Sequence, residues 1–122
     1  MKTILILGAG TAGTLMANRL RTRLQEWKIA IVDEDPTHYY QPGFLFLPFG
    51  IYSQKDVIKL KRHFIPSGVD YLEAEVDRVQ AEKNRVLLRS GEHLDYDVLI
   101  VATGAKTAPE QTEGMLGSDW RS

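Results

Sequence analysis

The sequence contains no cysteine among its 122 residues. Without cysteine the chain forms no disulfide, offers no thiol nucleophile and binds no metal through thiolates. Because structural disulfides are typical of oxidising compartments, their absence fits a reducing environment. We therefore predict a cytoplasmic protein without covalent cross-links.

The chain also lacks an excess of charge of either sign and any long apolar run. Lysine and arginine number 15 against 16 aspartate and glutamate residues, which argues against binding nucleic acid or anionic lipid through a bulk field. The longest apolar stretches, Ile4–Leu7 and Val98–Ala102, fall far short of the roughly 20 residues of a membrane-spanning helix. With 43% hydrophobic residues, the composition predicts one small folded domain over residues 1–122.

Familiar catalytic and metal-binding patterns are missing as well. The histidines His38, His63 and His93 lie far apart, and their spacing matches no HxxxH or HExxH metal site. No GxSxG motif and no P-loop lysine are present, which argues against nucleophile-elbow hydrolases and Walker-type NTPases. We predict no catalytic residue and no metal site within this chain.

What the sequence does contain begins with a strand–helix–strand pattern. Lys2–Leu7 and Lys28–Asp33 are short apolar runs, the kind that forms parallel strands buried on both faces. Between them, over Thr11–Glu26, a helix is predicted from residues that repeat at helical spacing: Leu15, Arg19, Leu20 and Leu24. The three segments together predict a βαβ unit.

The turn between this strand and helix carries a GxGxxG motif, formed by Gly8, Gly10 and Gly13. The first glycine of such a motif permits a tight turn, the second lets backbone approach a pyrophosphate, and the third allows close helix–strand packing. Asp33 ends the second strand 20 positions after Gly13, where a carboxylate accepts hydrogen bonds from an adenosine ribose and repels a 2′-phosphate. The combination predicts a site for an ADP-containing dinucleotide other than NADP. A glycine-rich turn beside a chance acidic residue is the simpler alternative.

The segment that follows Asp33 changes character. Glu34–Ser53 is rich in aromatic residues, proline and glycine, and a loop of this length in a small domain is predicted to be functional or a docking surface. Ser53 is predicted to cap a helix from Gln54 to about Phe64, with an inner face formed by Val57, Ile58, Leu60 and Phe64. The outer, solvated face is then expected to carry Lys55, Lys59, Lys61 and Arg62.

Beyond Gly68 the sequence predicts short strands. Val69–Leu72 is predicted to be a third strand, and Asp97–Ala102 another strand buried on both faces. Between them an antiparallel meander is predicted over Glu75–Gln80, Arg85–Arg89 and Glu92–Leu94. The fold is therefore expected to be α/β and Rossmann-type, a parallel sheet with an inserted antiparallel β-meander. Its ligand should lie at the carboxyl ends of the first, second and last strands.

The last predicted strand carries a second motif. Tyr96–Ala105, YDVLIVATGA, resembles the ATG motif of the pyridine nucleotide–disulfide oxidoreductase superfamily, in which a β-meander precedes this strand. Asp35–Gly43, Ala105–Glu110 and Gly114–Gly117 resemble the N-terminal part of sulfide:quinone oxidoreductase-like flavoproteins, whose cousins include flavocytochrome c sulfide dehydrogenase and type II NADH dehydrogenase. The resemblance covers nearly all of this chain and about the first third of such a protein.

This resemblance implies FAD as the cofactor and gives each motif a role. The residues that would bind the FAD pyrophosphate are Gly8, Gly10, Thr11, Ala12 and Gly13. Asp33 would bind the ribose, and the backbone of Val76 would hold the adenine. The other side of the cofactor would be lined by Ala102, Thr103 and Gly104, and Gln41–Pro42 would lie towards the flavin.

The same resemblance identifies parts of the family pattern that this sequence does not contain. These are a later Gly–Asp FAD motif, a second NAD-type domain, redox cysteines and a C-terminal quinone and membrane segment. We therefore expect a fragment of an FAD-dependent oxidoreductase, inactive alone. In the full, peripherally membrane-bound enzyme a substrate would reduce FAD, and electrons would pass to a quinone or another acceptor. The missing part would cover four apolar residues, Phe44, Leu45, Phe46 and Trp120. Their exposure in the fragment would drive homo-oligomer formation.

A protein that is not an enzyme is the alternative. GxGxxG with an acidic residue at the end of the second strand also resembles the NAD-binding regulatory domains of potassium transport systems. Those domains continue as regular βαβ repeats. The aromatic segment, the meander and the ATG strand interrupt that alternation and favour the flavoprotein.

Overall fold

The computed structural model describes residues 1–116, which are arranged around a four-stranded parallel sheet. The strands are β1 (Thr3–Leu7), β2 (Lys28–Asp33), β3 (Thr37–Tyr39), β4 (Ile58–Leu60), β5 (Val69–Glu73), β6 (Val76–Gln80), β7 (Arg85–Leu88), β8 (His93–Asp95) and β9 (Val98–Val101). The helices are α1 (Thr11–Arg23) and α2 (Gln54–Val57), and 3-10 turns cover Gln41–Phe46, Lys61–Phe64, Ala81–Lys83 and Pro109–Gln111. The parallel sheet has the order β5-β2-β1-β9, while β3 pairs with β4 and β6–β8 form a separate sheet.

The predicted βαβ unit is confirmed and occupies the middle of the parallel sheet. β1 pairs with β2 in parallel, with Thr3 opposite Lys28 and Leu7 opposite Val32. β1 also pairs in parallel with β9. The carboxyl ends of the three strands therefore meet at one edge of the sheet, which is the edge predicted for ligand binding.

Alternation along β1 and β2 creates two apolar layers, because successive strand residues point to opposite faces. One face packs against α1 and buries Ile4, Ile6, Ala17, Ile29 and Ile31. The other face packs against the β6–β8 sheet and buries Leu5, Leu7, Val32, Val86 and Leu88. The protein is thus a three-layer structure, in which the parallel sheet lies between α1 and the meander.

The antiparallel meander is confirmed, with bounds within two residues of the prediction. β6 pairs with β7 and β7 with β8, both antiparallel. The meander lies between β5 and β9 in the chain, where a regular βαβ repeat would have a helix. The predicted Rossmann-type α/β fold with an inserted meander is confirmed.

The prediction that the last strand is buried on both faces was wrong. Val98 is 42% and Val101 63% exposed. β9 stands at the end of the strand order and pairs with β1 alone, so one of its sides and part of its faces are uncovered. The middle of β9 is still covered: Ile100 packs against the first core cluster and Leu99 against the second.

The helix predicted from Gln54 to Phe64 was also wrong beyond its first turn. Ser53 does cap α2 through a capping box with Asp56, but α2 ends at Val57. Ile58–Leu60 instead forms β4 and pairs antiparallel with β3, which lies about 20 residues earlier in the chain. The β-branched pair of Val57 and Ile58 fits a strand better than a helix, and the partner strand that decides the outcome is distant in sequence.

Helix α1 is shorter than predicted, and its predicted core-facing stripe is right at Leu20 and wrong at Leu15. It ends at Arg23 rather than Glu26. Ala17 is fully buried and Met16 and Leu20 pack against the first core cluster, whereas Leu15 is exposed. Small residues at Gly13 and Ala17 let the helix lie close to the sheet.

Within residues 1–116 no helix has both the length and the apolar character needed to cross a membrane.

Candidate dinucleotide-binding site

The three glycines of the GxGxxG motif occupy three different environments at the end of β1. Gly8 has a φ of +98°, and a Cβ on it would overlap the Ala102 backbone. A Cβ on Gly13 would overlap the Gly8 carbonyl oxygen, whereas one on Gly10 would meet nothing within 4 Å. Gly8 therefore makes the turn, Gly13 brings α1 against β1, and Gly10 leaves backbone open to a ligand.

The N-terminus of α1 faces this open space without a capping side chain. Gly10 is the N-cap residue and has no side chain to offer a hydrogen bond, and the first turn holds no acidic residue. The first N–H groups of a helix have no partner inside the helix, and the helix dipole favours an anion beside them. This end of α1 therefore has the chemistry of a phosphate-binding site.

The Asp33 carboxylate lies beside the same turn and is held by three donors. Its Oδ2 accepts hydrogen bonds from the Ala9 N–H at 2.7 Å and from the Lys61 ammonium at 2.9 Å. Its Oδ1 accepts from the Asp35 N–H at 2.9 Å. Burial raises the pKa of Asp33, but the hydrogen bonds from Lys61, Ala9 and Asp35 and the positive charge of Lys61 outweigh it and hold this pKa below its usual value. Asp33 is therefore charged at neutral pH and fixes the glycine turn to the end of β2.

Lys61 is the residue that the sequence interpretation placed most wrongly. It was expected on a solvated helix face, yet its side chain is 11% exposed and that of Asp33 is 14% exposed. The cause is the strand β4, which ends at Leu60 and places Lys61 beside the site. The backbone N–H of Lys61 donates to the Pro36 carbonyl oxygen at 2.8 Å. Predicting a strand at Ile58–Leu60 would have been needed to place Lys61 near Asp33.

Two neighbouring cavities open at this edge of the sheet. One, of about 230 Å³, is lined by Leu7, Gly8, Val32, Asp33, Glu34, Ala74, Glu75, Val76 and Thr103. The other, of about 560 Å³, is lined by Gly10, Thr11, Asp35, Thr37, His38, Tyr39, Tyr40, Gln41, Pro42, Lys61, Thr103, Gly104 and Ala105. Thr103 borders both cavities. Both lie at the carboxyl ends of the parallel strands, and the two are together called the cleft below.

Most of the predicted site residues line this cleft. Those in the smaller cavity are Gly8, Asp33, Val76 and Thr103. Those in the larger cavity are Gly10, Thr11, Pro42, Thr103 and Gly104. Ala12, Gly13 and Ala102 line neither cavity; Ala102 donates its N–H to the Leu7 carbonyl oxygen at 2.7 Å and lies against Gly8. Glu34 also lines the smaller cavity and was not predicted from the sequence. Its position directly after Asp33 could have indicated it.

Among residues 1–116 no group of three or more histidine, cysteine, aspartate or glutamate side chains is arranged to hold a metal ion. The chemistry of the cleft is set instead by its backbone amides, its acidic side chains and one lysine.

The sequence matches a known family. A family model for pyridine nucleotide-disulphide oxidoreductases matches residues 2–121. The chain belongs to this family. The predicted oxidoreductase family is thereby confirmed.

Individual relatives show which members of this family the chain is similar to. The chain is 34% identical over 113 residues to a mitochondrial sulfide:quinone oxidoreductase from Dictyostelium discoideum, a match that covers 92% of this chain and 25% of that protein. It is 26% identical over 117 residues to a type II NADH:quinone oxidoreductase from Staphylococcus aureus, covering 93% of this chain and 29% of the relative. These matches confirm the resemblance to the sulfide:quinone oxidoreductase-like proteins.

The fold is shared with the X-ray structure of the sulfide:quinone oxidoreductase from Aquifex aeolicus. The TM-score is 0.77 at 24% identity, over 88% of this chain and 25% of that one. The chain spans about a quarter of the length of the curated sulfide:quinone oxidoreductases that it matches.

Proposed function

We propose that residues 1–122 are the FAD-binding N-terminal portion of a sulfide:quinone oxidoreductase-like flavoenzyme. The observation that supports this most strongly is the open space at Gly10 beside the uncapped N-terminus of α1. It lies on the same cleft as the acidic residues at the end of β2. This arrangement fits the diphosphate and the ribose of an ADP-containing cofactor.

Each part of the cleft would bind one part of FAD. The backbone amides of Gly10, Thr11, Ala12 and Gly13 would donate to the pyrophosphate. The smaller cavity would take the adenosine, with its adenine beside the Val76 backbone. Ala102–Gly104 would border the opposite side, and Gln41–Pro42 would lie towards the flavin. Bound FAD would supply the redox chemistry, and the protein would orient it and set its electrostatic surroundings.

The contacts of Asp33 specify how an acidic residue would bind the ribose here. Oδ2 already accepts two hydrogen bonds and Oδ1 accepts one. Since a carboxylate oxygen accepts about two hydrogen bonds, Oδ1 has room for one ribose hydroxyl. Glu34 lines the same cavity and would accept the second.

The other properties of the whole enzyme follow from the same proposal. In the full protein a substrate would reduce the flavin, and electrons would pass to a quinone or another acceptor outside these residues. The enzyme would lie in the cytoplasm, peripheral to a membrane.

Competition between ligands tests the proposed function. We expect this chain to bind FAD and ADP in competition with each other, because it contacts the ADP half of the cofactor, and not to bind FMN. Fluorescence titration with FAD, followed by displacement with ADP, FMN and NAD, measures this. Preferential binding of NAD over FAD would instead support the regulatory-domain alternative, and displacement by FMN would contradict the assignment of the cleft to the ADP half.

The isolated chain is also proposed to self-associate through an apolar surface. The 3-10 turn at Gln41–Phe46 and the residues after it expose Phe44, Leu45, Phe46, Phe49 and Ile51. Of these, Leu45 is 69% and Phe49 is 73% exposed. Trp120, which was expected to join this surface, lies outside the described residues. Exposed apolar residues grouped in one short segment of the chain favour association in water.

Sedimentation velocity over a range of concentrations measures this self-association. We expect oligomers whose fraction rises with concentration. Association should be weaker in Leu45→Glu than in Val79→Glu, which makes the same kind of change at a 40% exposed residue of β6. A monomer at every concentration would contradict the proposal.

A further inference from the structure

We propose that Lys61 is a phosphate-binding residue of this site, contacting the diphosphate of the bound dinucleotide while Asp33 holds its ammonium in place. This inference rests on the proposed function and adds to it a residue and the chemical group that the residue recognises.

The first argument is the cost of placing a lysine there. A lysine is rarely buried, yet the side chain of Lys61 is nearly nine-tenths buried. Its Nζ donates to Asp33 Oδ2 at 2.9 Å. Asp33 itself already accepts from two backbone N–H groups, those of Ala9 and Asp35, so the carboxylate would remain hydrogen-bonded without the lysine. Neutralising Asp33 therefore gives an incomplete reason for the position of Lys61.

The second argument is the number of donors that an ammonium carries. A lysine ammonium has three N–H donors. Among residues 1–116, Asp33 is the one hydrogen-bond partner and the one ion-pair partner that the structure records for Nζ. Two N–H groups are therefore left for an acceptor that arrives in the cleft.

The third argument is the space that these donors share. Lys61 lines the larger cavity together with Gly10 and Thr11 at the N-terminus of α1. The ammonium and the helix N-terminus thus border one volume, and both favour an anion. Thr103 and Gly104 line the same cavity.

The fourth argument is the distribution of charge along the cleft. The smaller cavity is lined by the carboxylates Asp33, Glu34 and Glu75 and by no basic side chain. The larger cavity is lined by Lys61, by one carboxylate, that of Asp35, and by His38. Ribose hydroxyls can donate to the acidic end, whereas a diphosphate is repelled from it and attracted to the end that holds Lys61.

Binding of adenosine and ADP to matched variants tests the proposal. In Lys61→Gln we expect ADP affinity to fall at least tenfold and adenosine affinity to change less than twofold. Lys61→Arg should keep most of the ADP affinity. Lys59→Gln changes an exposed lysine of β4, two residues before Lys61, and should leave both affinities unchanged. The dependence of ADP affinity on salt should also be weaker in Lys61→Gln, since one fewer ionic contact is formed.

Two results would overturn the inference. Equal loss of adenosine and ADP affinity in Lys61→Gln would make Lys61 a positioning residue that acts through Asp33. Unchanged ADP affinity would remove Lys61 from the site altogether. Wild-type protein that binds neither ADP nor FAD would overturn the proposed function itself, so the two failures are distinguishable.

A measurement on the wild-type chain covers the case in which Lys61→Gln does not fold. The ε-methylene NMR signal of Lys61, assigned with Lys61→Arg, should shift when ADP is added and stay in place when adenosine is added. A signal that does not respond to ADP would overturn the proposal.

Discussion

Replacing Gly13 by alanine should destabilise the protein by more than about 3 kcal/mol, beyond the usual cost of overpacking. A Cβ at this position would overlap the Gly8 carbonyl oxygen, which is backbone and is itself fixed, since the Gly8 N–H donates to the Val32 carbonyl oxygen at 2.8 Å. α1 would have to move away from β1, and with it the residues that pack against Ile6. Urea denaturation followed by tryptophan fluorescence measures the loss.

Gly10→Ala is the matched control for this prediction. A Cβ on Gly10 would meet nothing within 4 Å, so the free energy of unfolding should change by less than about 1 kcal/mol, the scale of an altered N-cap residue. ADP affinity should nevertheless fall, because the added methyl group would occupy the space proposed for the diphosphate. A Gly13→Ala protein as stable as the wild type would contradict the packing of α1 described above.

The second large effect is expected from the ion pair of Asp33 and Lys61. Lys61→Met would leave the largely buried Asp33 carboxylate with its two backbone donors alone, at a cost of about 2–3 kcal/mol of stability at neutral pH. Asp33→Asn/Lys61→Met should recover part of that loss, because removing both charges leaves no unpaired ion. Additive effects of the two single changes would contradict a direct interaction.

The pH dependence of stability gives this ion pair a second signature. Because the pKa of folded Asp33 lies below its unfolded value of 3.8, its contribution is present above about pH 4 and is lost as the pH falls through the lower, folded pKa. Asp33→Asn should lack this component, and in Lys61→Met the loss should begin at a higher pH. Urea titrations between pH 7 and pH 3 measure it, and parallel curves for wild type and Asp33→Asn would contradict it.

The parts of the fold that the sequence predicts correctly depend on local patterns. The GxGxxG motif, the apolar runs at β1 and β2 and the turns of the meander each carry their signal within a few residues. The spacing between Gly13 and Asp33 correctly places the acidic residue at the carboxyl end of β2. The structure shows a packing reason for Gly8 and for Gly13, whereas a Cβ on Gly10 would meet nothing within 4 Å.

The errors arise where a distant partner decides the structure. Val57, Ile58 and Leu60 fit the spacing of a helix, but β3 pairs with Ile58–Leu60 and makes it a strand. That one change moves Lys61 from a solvated face to the Asp33 carboxylate. The exposure of Val98 and Val101 likewise depends on β9 being at the edge of the sheet, which no local pattern specifies.

Backbone amide NMR with FAD tests the central claim most directly. We expect FAD to shift the signals of Gly10–Gly13, Asp33–Glu34, Val76 and Ala102–Gly104, which surround the carboxyl edge of the parallel sheet, and to leave those of β7 and β8 in place. Shifts confined to other surfaces, or no shift at saturating FAD, would contradict the account of this chain as an FAD-binding domain.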